Sequence, residues 1–131
     1  SGSGVLTISA AATNFTGTKK IRFQNLSTPG SFTGLVKVEP NAIFQIRGAT
    51  DTVFNSLGST ATIELNTGIS NVTTGGRFEL ITDQSTNFGN DVIVAGDSTI
   101  VVGCGTVTPT NKALSIGTLT IRRPAPTPQI R

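Results

Sequence analysis

The sequence contains no histidine, tyrosine, tryptophan or methionine, has a single cysteine, and only 13% of its residues are charged. Without histidine the commonest general base is missing, and no Ser-His or Cys-His arrangement can form. One cysteine excludes an intrachain disulfide. No apolar stretch approaches the length of a membrane-spanning helix. These absences disfavour an enzyme, and we expect a non-catalytic protein without a cofactor.

The few charges are mostly positive, with a formal net charge of +3 and a sequence pI near 9.6. The basic residues are spread along the chain, and a surface for nucleic acid usually combines a basic patch with stacking aromatics. We therefore expect no nucleic-acid partner. Intrinsic disorder also fits poorly, because disordered chains pair low hydrophobicity with high net charge.

Threonine, serine, asparagine and 15 glycines fill the remaining positions. Short segments alternate apolar and polar residues, and glycine, proline, asparagine or aspartate separate them; this pattern is typical of strands. The sequence therefore predicts an all-β chain. The clearest of these segments are residues 5–9, 21–24, 36–39, 43–47, 61–65, 78–80, 92–94, 100–102, 114–116 and 119–121.

An internal repeat relates two stretches of 15 residues that begin at Phe32 and Phe88. Matched without a gap, the stretches agree in chemistry at six positions, and both have their turn at the same place. The offset of 56 residues is close to three steps of about 19, near the length of a β-solenoid coil. Such coils stack their inward residues into one core. The repeat favours a parallel β-solenoid, and an antiparallel β-sandwich or jelly roll is the alternative.

Residues 31–38, with Phe32-Thr33-Gly34 before a valine strand, and residues 42–46 after a small-residue turn resemble the repeat of autotransporter passenger domains. The resemblance covers roughly residues 30–121. It implies a right-handed parallel β-helix in a secreted or surface-displayed protein, often an adhesin. The low-charge β segments of phage tail fibres and tailspikes are similar to a lesser degree.

We expect residues 1–121 to form one domain, in which residues 1–4 can be a cloning remnant. Residues 122–131 are rich in proline, which cannot donate to a β-ladder, and form a predicted tail or linker. The alternative is an assembly arm that lies on a neighbouring subunit. The residues proposed for that arm are Arg122, Arg123, Pro124, Pro126 and Pro128.

The remaining carboxylate chemistry centres on Gln45, Glu64 and Glu79, each in the middle of a similar three-residue strand. We expect these three residues to stack outward as a ladder. Adjacent like charges are unfavourable. Glu64 and Glu79 would therefore show a raised pKa, bind a cation such as calcium, or pair with Arg47 or Arg77. A plain solvated face is the simpler interpretation.

Other polar and aromatic residues are assigned structural roles. Cys104 is predicted to be a small buried thiol, with an intermolecular disulfide as the alternative. Aspartates 83, 91 and 97 are expected to bond to turn backbone. The seven phenylalanines are expected in the core; they are Phe15, Phe23, Phe32, Phe44, Phe54, Phe78 and Phe88.

Three non-catalytic functions remain open on this sequence, and a carbohydrate-cleaving enzyme that uses Glu64 or Glu79 is the least favoured alternative. The first is a structural or adhesive extracellular segment that forms a stiff β-rod. The second is a phage tail fibre, tailspike or capsid-decoration domain, located on a virion. The third is a filament-forming subunit. Under these functions, the partners of the chain would be copies of itself, neighbouring repeats or a cell-surface glycan.

Overall fold

The computed structural model describes residues 2–9, 19–24, 31–47, 57–66, 75–105 and 112–122. All regular secondary structure in these residues is β-strand, in eleven strands. The strands are β1 Val5–Ile8, β2 Lys19–Gln24, β3 Leu35–Val38, β4 Ala42–Arg47, β5 Thr62–Leu65, β6 Arg77–Ile81, β7 Thr86–Asn87, β8 Asp91–Val94, β9 Thr99–Gly103, β10 Leu114–Ser115 and β11 Leu119–Ile121. No helix that could cross a membrane occurs in these ranges.

The described strands form three open sheets, and successive strands of the chain belong to different sheets. Sheet 1 has the order β1-β3-β5-β8-β11, sheet 2 the order β2-β4-β6-β9, and sheet 3 contains β7 and β10. Every strand pair among the described residues is parallel. The all-β prediction is confirmed. The antiparallel sandwich is wrong for these strands, and the order of strands is the one expected of a β-solenoid.

The register of sheet 1 explains the internal repeat. Val36 pairs with Ile63, and Ile63 pairs with Val92, so the stretches that begin at Phe32 and Phe88 occupy equivalent positions. The predicted shared column is therefore present, but it spans two coils of 27 and 29 residues, not three coils of about 19. The last two described coils also include a strand of sheet 3, and the segments between strands differ in length. The short spacings of 15 and 19 residues connect strands of different sheets.

The core consists of inward columns that run from coil to coil. Val36, Ile63 and Val92 form one column in sheet 1, and all three are fully buried. In sheet 2 the Phe44 ring stacks on Phe78 with centroids 5.8 Å apart, and it forms a T-shaped contact with Phe23 at a centroid distance of 5.6 Å. Burying a charged or unpaired polar group in these columns would cost free energy, so the inward positions are apolar.

The phenylalanine prediction is confirmed where the structure describes these residues. Phe44, Phe78 and Phe88 are fully buried, and Phe23 and Phe32 pack against the core. Phe15 and Phe54 lie outside the described residues.

Small and polar residues close the corner that precedes sheet 1. A Cβ atom on Gly34 would collide with the backbone carbonyl of Gly4 in the coil below, so this close approach requires glycine. Asn90 is fully buried at the same corner. Its Nδ2 donates to the carbonyls of Gly58 at 2.7 Å and Ala61 at 2.8 Å, which ties adjacent coils together.

Cys104 is exposed, and the prediction of a buried thiol is wrong. The alternation of β9 ends at Gly103, so Cys104 follows the strand and lies at a corner of the coil. To point into the core, the cysteine would have to occupy one of the inward positions of β9, which continue the columns of sheet 2.

Candidate functional surface

The outer face of sheet 2 brings together five charged residues from three coils. Phe44 and Ile46 point into the core, so their neighbours on β4 point outward. The parallel register then aligns outward residues from three coils. We call this surface the basic face; its charged and polar residues are Lys20, Arg22, Gln45, Arg47, Arg77 and Glu79. The face thus carries four cations and one carboxylate.

Glu79 is the centre of this face and is only 4% exposed. Its Oε2 accepts a hydrogen bond from Lys20 Nζ at 2.9 Å, although Lys20 lies two coils away. Its Oε1 lies 2.8 Å from Arg77 Nε on the same strand. Gln45 Nε2 also donates to Oε2. Two cations and an amide therefore hold this carboxylate between the coils.

The surroundings of Glu79 shift its pKa downward. Burial raises the pKa of this carboxyl, but the hydrogen bond and positive charge of Lys20, the hydrogen bond from Gln45 and the charge of Arg77 together outweigh burial. The pKa of Glu79 therefore lies below its ordinary value. The ionised form is favoured in the folded chain.

We therefore expect the ionisation of Glu79 to make the free energy of unfolding fall at acid pH. Because its pKa is lower in the folded chain, its contribution is complete above the unfolded value of about 4.3 and is lost as pH falls through the folded pKa. Glu79→Gln is expected to reduce the free energy of unfolding by about 1–3 kcal/mol at pH 7, because a charge-assisted pair is removed. The difference between the two proteins should shrink below about pH 4. Urea unfolding at pH 7 and pH 3 measures both quantities.

Glu64→Gln is the matched control for this experiment. Glu64 makes a single 3.7 Å contact with the exposed Arg122, so its loss should change the free energy of unfolding by less than about 1 kcal/mol. An equal pH dependence in both variants would contradict the assignment of the effect to Glu79.

The structure separates the residues of the predicted carboxylate ladder. Gln45 and Glu79 are adjacent in sheet 2, as predicted, but Glu64 lies in sheet 1 between Lys37 and Ile93. A ladder that contains both Glu64 and Glu79 is therefore wrong, because the spacing between them crosses from one sheet to the other. The described residues contain no group of three or more histidine, cysteine, aspartate or glutamate side chains arranged for a metal.

The other expectations for these side chains have mixed outcomes. Pairing of Glu79 with Arg77 is confirmed, whereas a raised pKa for Glu79 is wrong. Arg47 instead donates to the carbonyl of Gly105 at 3.2 Å. Asp83 accepts from the Gly105 amide at 2.7 Å and so joins neighbouring coils.

Sequence reasoning missed the basic face because its members are far apart in the chain. Lys20 and Glu79 are 59 residues apart, and only the parallel register brings them together. The available signal was the alternation of Lys20 and Arg22 in one short strand, which puts both side chains on the same side. Without known coil lengths, that signal does not identify the partners.

Only one residue of the predicted assembly arm lies in the described part of the chain. Arg122 is exposed, its amide donates to the Val94 carbonyl at 2.8 Å, and its side chain contacts Glu64. Residues 123–131, which include Arg123, Pro124, Pro126 and Pro128, lie outside the described residues.

No protein-family model, curated protein or solved structure matches this chain.

Proposed function

We propose that this chain is a non-catalytic structural or adhesive segment of a secreted or surface-displayed protein. It forms a stiff rod, wound as a right-handed parallel β-helix, that displays rows of side chains to its surroundings. The observation that carries this proposal is the unbroken set of buried columns through successive coils, in which Val36, Ile63 and Val92 are all fully buried.

The stacking of coils supports stiffness along the rod. Neighbouring strands lie about 4.8 Å apart, so the five strands of sheet 1 extend about 19 Å along the axis. The ladder hydrogen bonds run along this axis, and the packed columns run beside them. Bending would break bonds and contacts on one side of several coils at once. A rod of this kind suits display or spacing.

The basic face is the surface best suited to adhesive contact. Arg22 and Arg77 are exposed there, whereas the only carboxylate of the face, Glu79, is buried and paired. The face therefore presents net positive charge in rows set by the strand spacing. Its partner in this proposal is an anionic cell-surface glycan, which carries repeated negative charge along an extended chain. Such contacts weaken with salt.

Heparin retention tests the adhesive part of the proposal. Arg22→Gln with Arg77→Gln removes two exposed charges and the Arg77–Glu79 contact, but leaves the Lys20–Glu79 pair in place. Urea unfolding of the double variant checks that it is still folded under the binding conditions. We expect this double variant to bind heparin at least about 10-fold more weakly than the wild type, a loss of about 1.4 kcal/mol. Neutral dextran should retain neither protein.

Lys37→Gln with Lys112→Gln is the charge-matched control, because it removes two cations away from the basic face. An equal loss in both double variants would show attraction by net charge alone and would contradict a localised face. Absence of heparin binding by the wild type would also contradict it.

Sedimentation velocity tests the structural part separately. A monomer is expected for a rod segment. A trimer that resists SDS would instead support a phage fibre, and polymers that grow with concentration would support a filament.

A further inference from the structure

The C-terminal end of the described solenoid exposes apolar residues of the core. Ile8 and Ile121 lie at the two ends of one inward column of sheet 1, yet Ile8 is 3% exposed and Ile121 is 74% exposed. On β9 the inward Val102 is 59% exposed, and on β11 the inward Leu119 is 48% exposed. The column is therefore covered at the first coil and open at the last described one.

The backbone groups of the same inward residues point away from the solenoid. In sheet 1 the inward Val92 donates its amide upward to Thr118, whereas in sheet 2 the outward Thr99 donates downward to Gly76. Because these directions alternate along a strand, the inward residues of β9 and β11 direct their amides and carbonyls upward. In the described part of the chain, β9 and β11 are the last strands of their sheets. Such open edges are templates for pairing with another chain.

The two open edges differ in height by one strand. Sheet 1 has five strands and sheet 2 has four, so β11 lies one step above β9. A second copy that is turned over about an axis perpendicular to the rod presents the same step in reverse. Its β9 then lies directly above β11, and its β11 lies directly above β9. The end is therefore complementary to itself, which is the requirement for a dimer with two-fold symmetry.

We propose that two copies of this chain pair end to end through β9 and β11 about such a two-fold axis. Turning one copy over reverses the direction in which it winds, so each β11 runs antiparallel to β9 of the other copy. When inward residues lie opposite each other, Leu119 faces the partner's Val102, and Ile121 faces the partner's Ile100. The two apolar cores then continue into one another.

The directions of the backbone groups agree with this register. In an antiparallel pair, opposite residues alternate between those that exchange two hydrogen bonds and those that exchange none. Leu119 and Val102 both direct their amide and carbonyl upward, so they form an exchanging pair, and the same holds for Ile121 and Ile100. A shift by one residue would oppose upward groups with downward ones and inward side chains with outward ones. Side-chain pattern and hydrogen bonds thus select the same register.

Charge at the rim also fits a second copy. Arg122 follows β11, and in this register it lies opposite the partner's Thr99. The exposed Asp97 lies two residues before Thr99, within the diagonal reach of a long side chain on the facing strand. Each copy therefore places one cation near one carboxylate of the other, at both ends of the two-fold interface.

The size of the interface makes the dimer weak and closed at two copies. The exposed parts of Val102, Leu119 and Ile121 amount to roughly 300 Å² per copy, so the interface stays below the about 1,200 Å² of stable complexes. A dissociation constant on the order of 100 μM follows, and dilute protein remains monomeric. The covered column at Ile8 gives the other end no equivalent surface. This dimer does not depend on what the basic face binds.

Sedimentation equilibrium between about 10 μM and about 1 mM tests the dimer, since these concentrations bracket the expected dissociation constant. The wild type should change from mostly monomer to mostly dimer without larger species. Val102→Asp should raise the dissociation constant at least about 100-fold, because it buries a charge in the interface. Val5→Asp is the matched control, since Val5 is 63% exposed on β1 at the other end and should change nothing. A wild type that stays monomeric, or equal weakening in both variants, would overturn the proposal.

A charge exchange tests the register. Arg122→Asp and Asp97→Arg should each raise the dissociation constant about 3–10-fold, because like charges then face each other across the interface. The double variant restores opposite charges at both contacts and should regain the wild-type value. A double variant weaker than either single variant would overturn the register.

Amide hydrogen exchange distinguishes a second copy from residues of the same chain. The amides of Ile100 and Val102 should exchange about 3-fold or more slowly at about 1 mM than at about 10 μM, while the amide of Phe78 should exchange equally at both. Protection at Ile100 and Val102 that does not change with concentration would show that the chain covers its own end, and would overturn the dimer.

Discussion

Phe44→Ala is expected to lower the free energy of unfolding by about 3–5 kcal/mol, the cost usual for removing a buried aromatic ring. Phe44 is fully buried at the centre of sheet 2, and its ring contacts Phe23 in the coil below and Phe78 in the coil above. Its removal opens a cavity between two coils. Because domains of this size are stable by only about 5–15 kcal/mol, such a loss is a large fraction of the total.

Ile43→Ala is the matched control, since Ile43 is the neighbouring residue on β4 but points outward and is half-buried. It should cost clearly less than Phe44→Ala in the same urea titration. A loss at Phe44 below about 1 kcal/mol, or equal losses at both positions, would contradict the assignment of inner and outer faces.

Much of the fold could be predicted from alternation and repetition. The match between Val36 and Val92 identified residues of one column, because inward positions of a solenoid must be apolar in every coil. The coil length could not be predicted in the same way. Ile63, which lies between those two valines, belongs to a coil without the phenylalanine that marks the other two, so the intermediate repeat was not recognised.

The surface could be predicted less well, because the side chains that meet there are set by the register between strands far apart in the chain. Glu64 and Glu79 occupy similar short motifs, yet they lie in different sheets because they belong to consecutive strands of one coil, β5 and β6. The partner Lys20 is a generic charged residue in the sequence and gains its role only from a contact 59 residues away. Local patterns define which side a residue faces, but not which residue it meets.

Asn90→Asp is expected to cost about 3–5 kcal/mol or more at pH 7, because it leaves an uncompensated charge in the core. Asn90 is fully buried, and its Nδ2 donates to the carbonyl oxygens of Gly58 and Ala61. An aspartate oxygen in that place would face two carbonyl oxygens at less than 3 Å. Burial and these acceptors both disfavour the ionised form, so the pKa of the new carboxyl should be raised.

The pH dependence of the free energy of unfolding distinguishes the cost of a buried charge in Asn90→Asp from a simple loss of packing. A raised folded pKa means that the penalty grows as pH increases above the unfolded value of about 3.9, so Asn90→Asp should approach the wild type as pH falls towards 4. Asn87→Asp is the control, since Asn87 Oδ1 accepts hydrogen bonds from Gly89 N and Ser115 Oγ, and a carboxylate accepts them equally well. It should change the free energy of unfolding by less than about 0.5 kcal/mol. If Asn90→Asp were as stable as this control at pH 7, the corner asparagine would not join the coils as the geometry indicates.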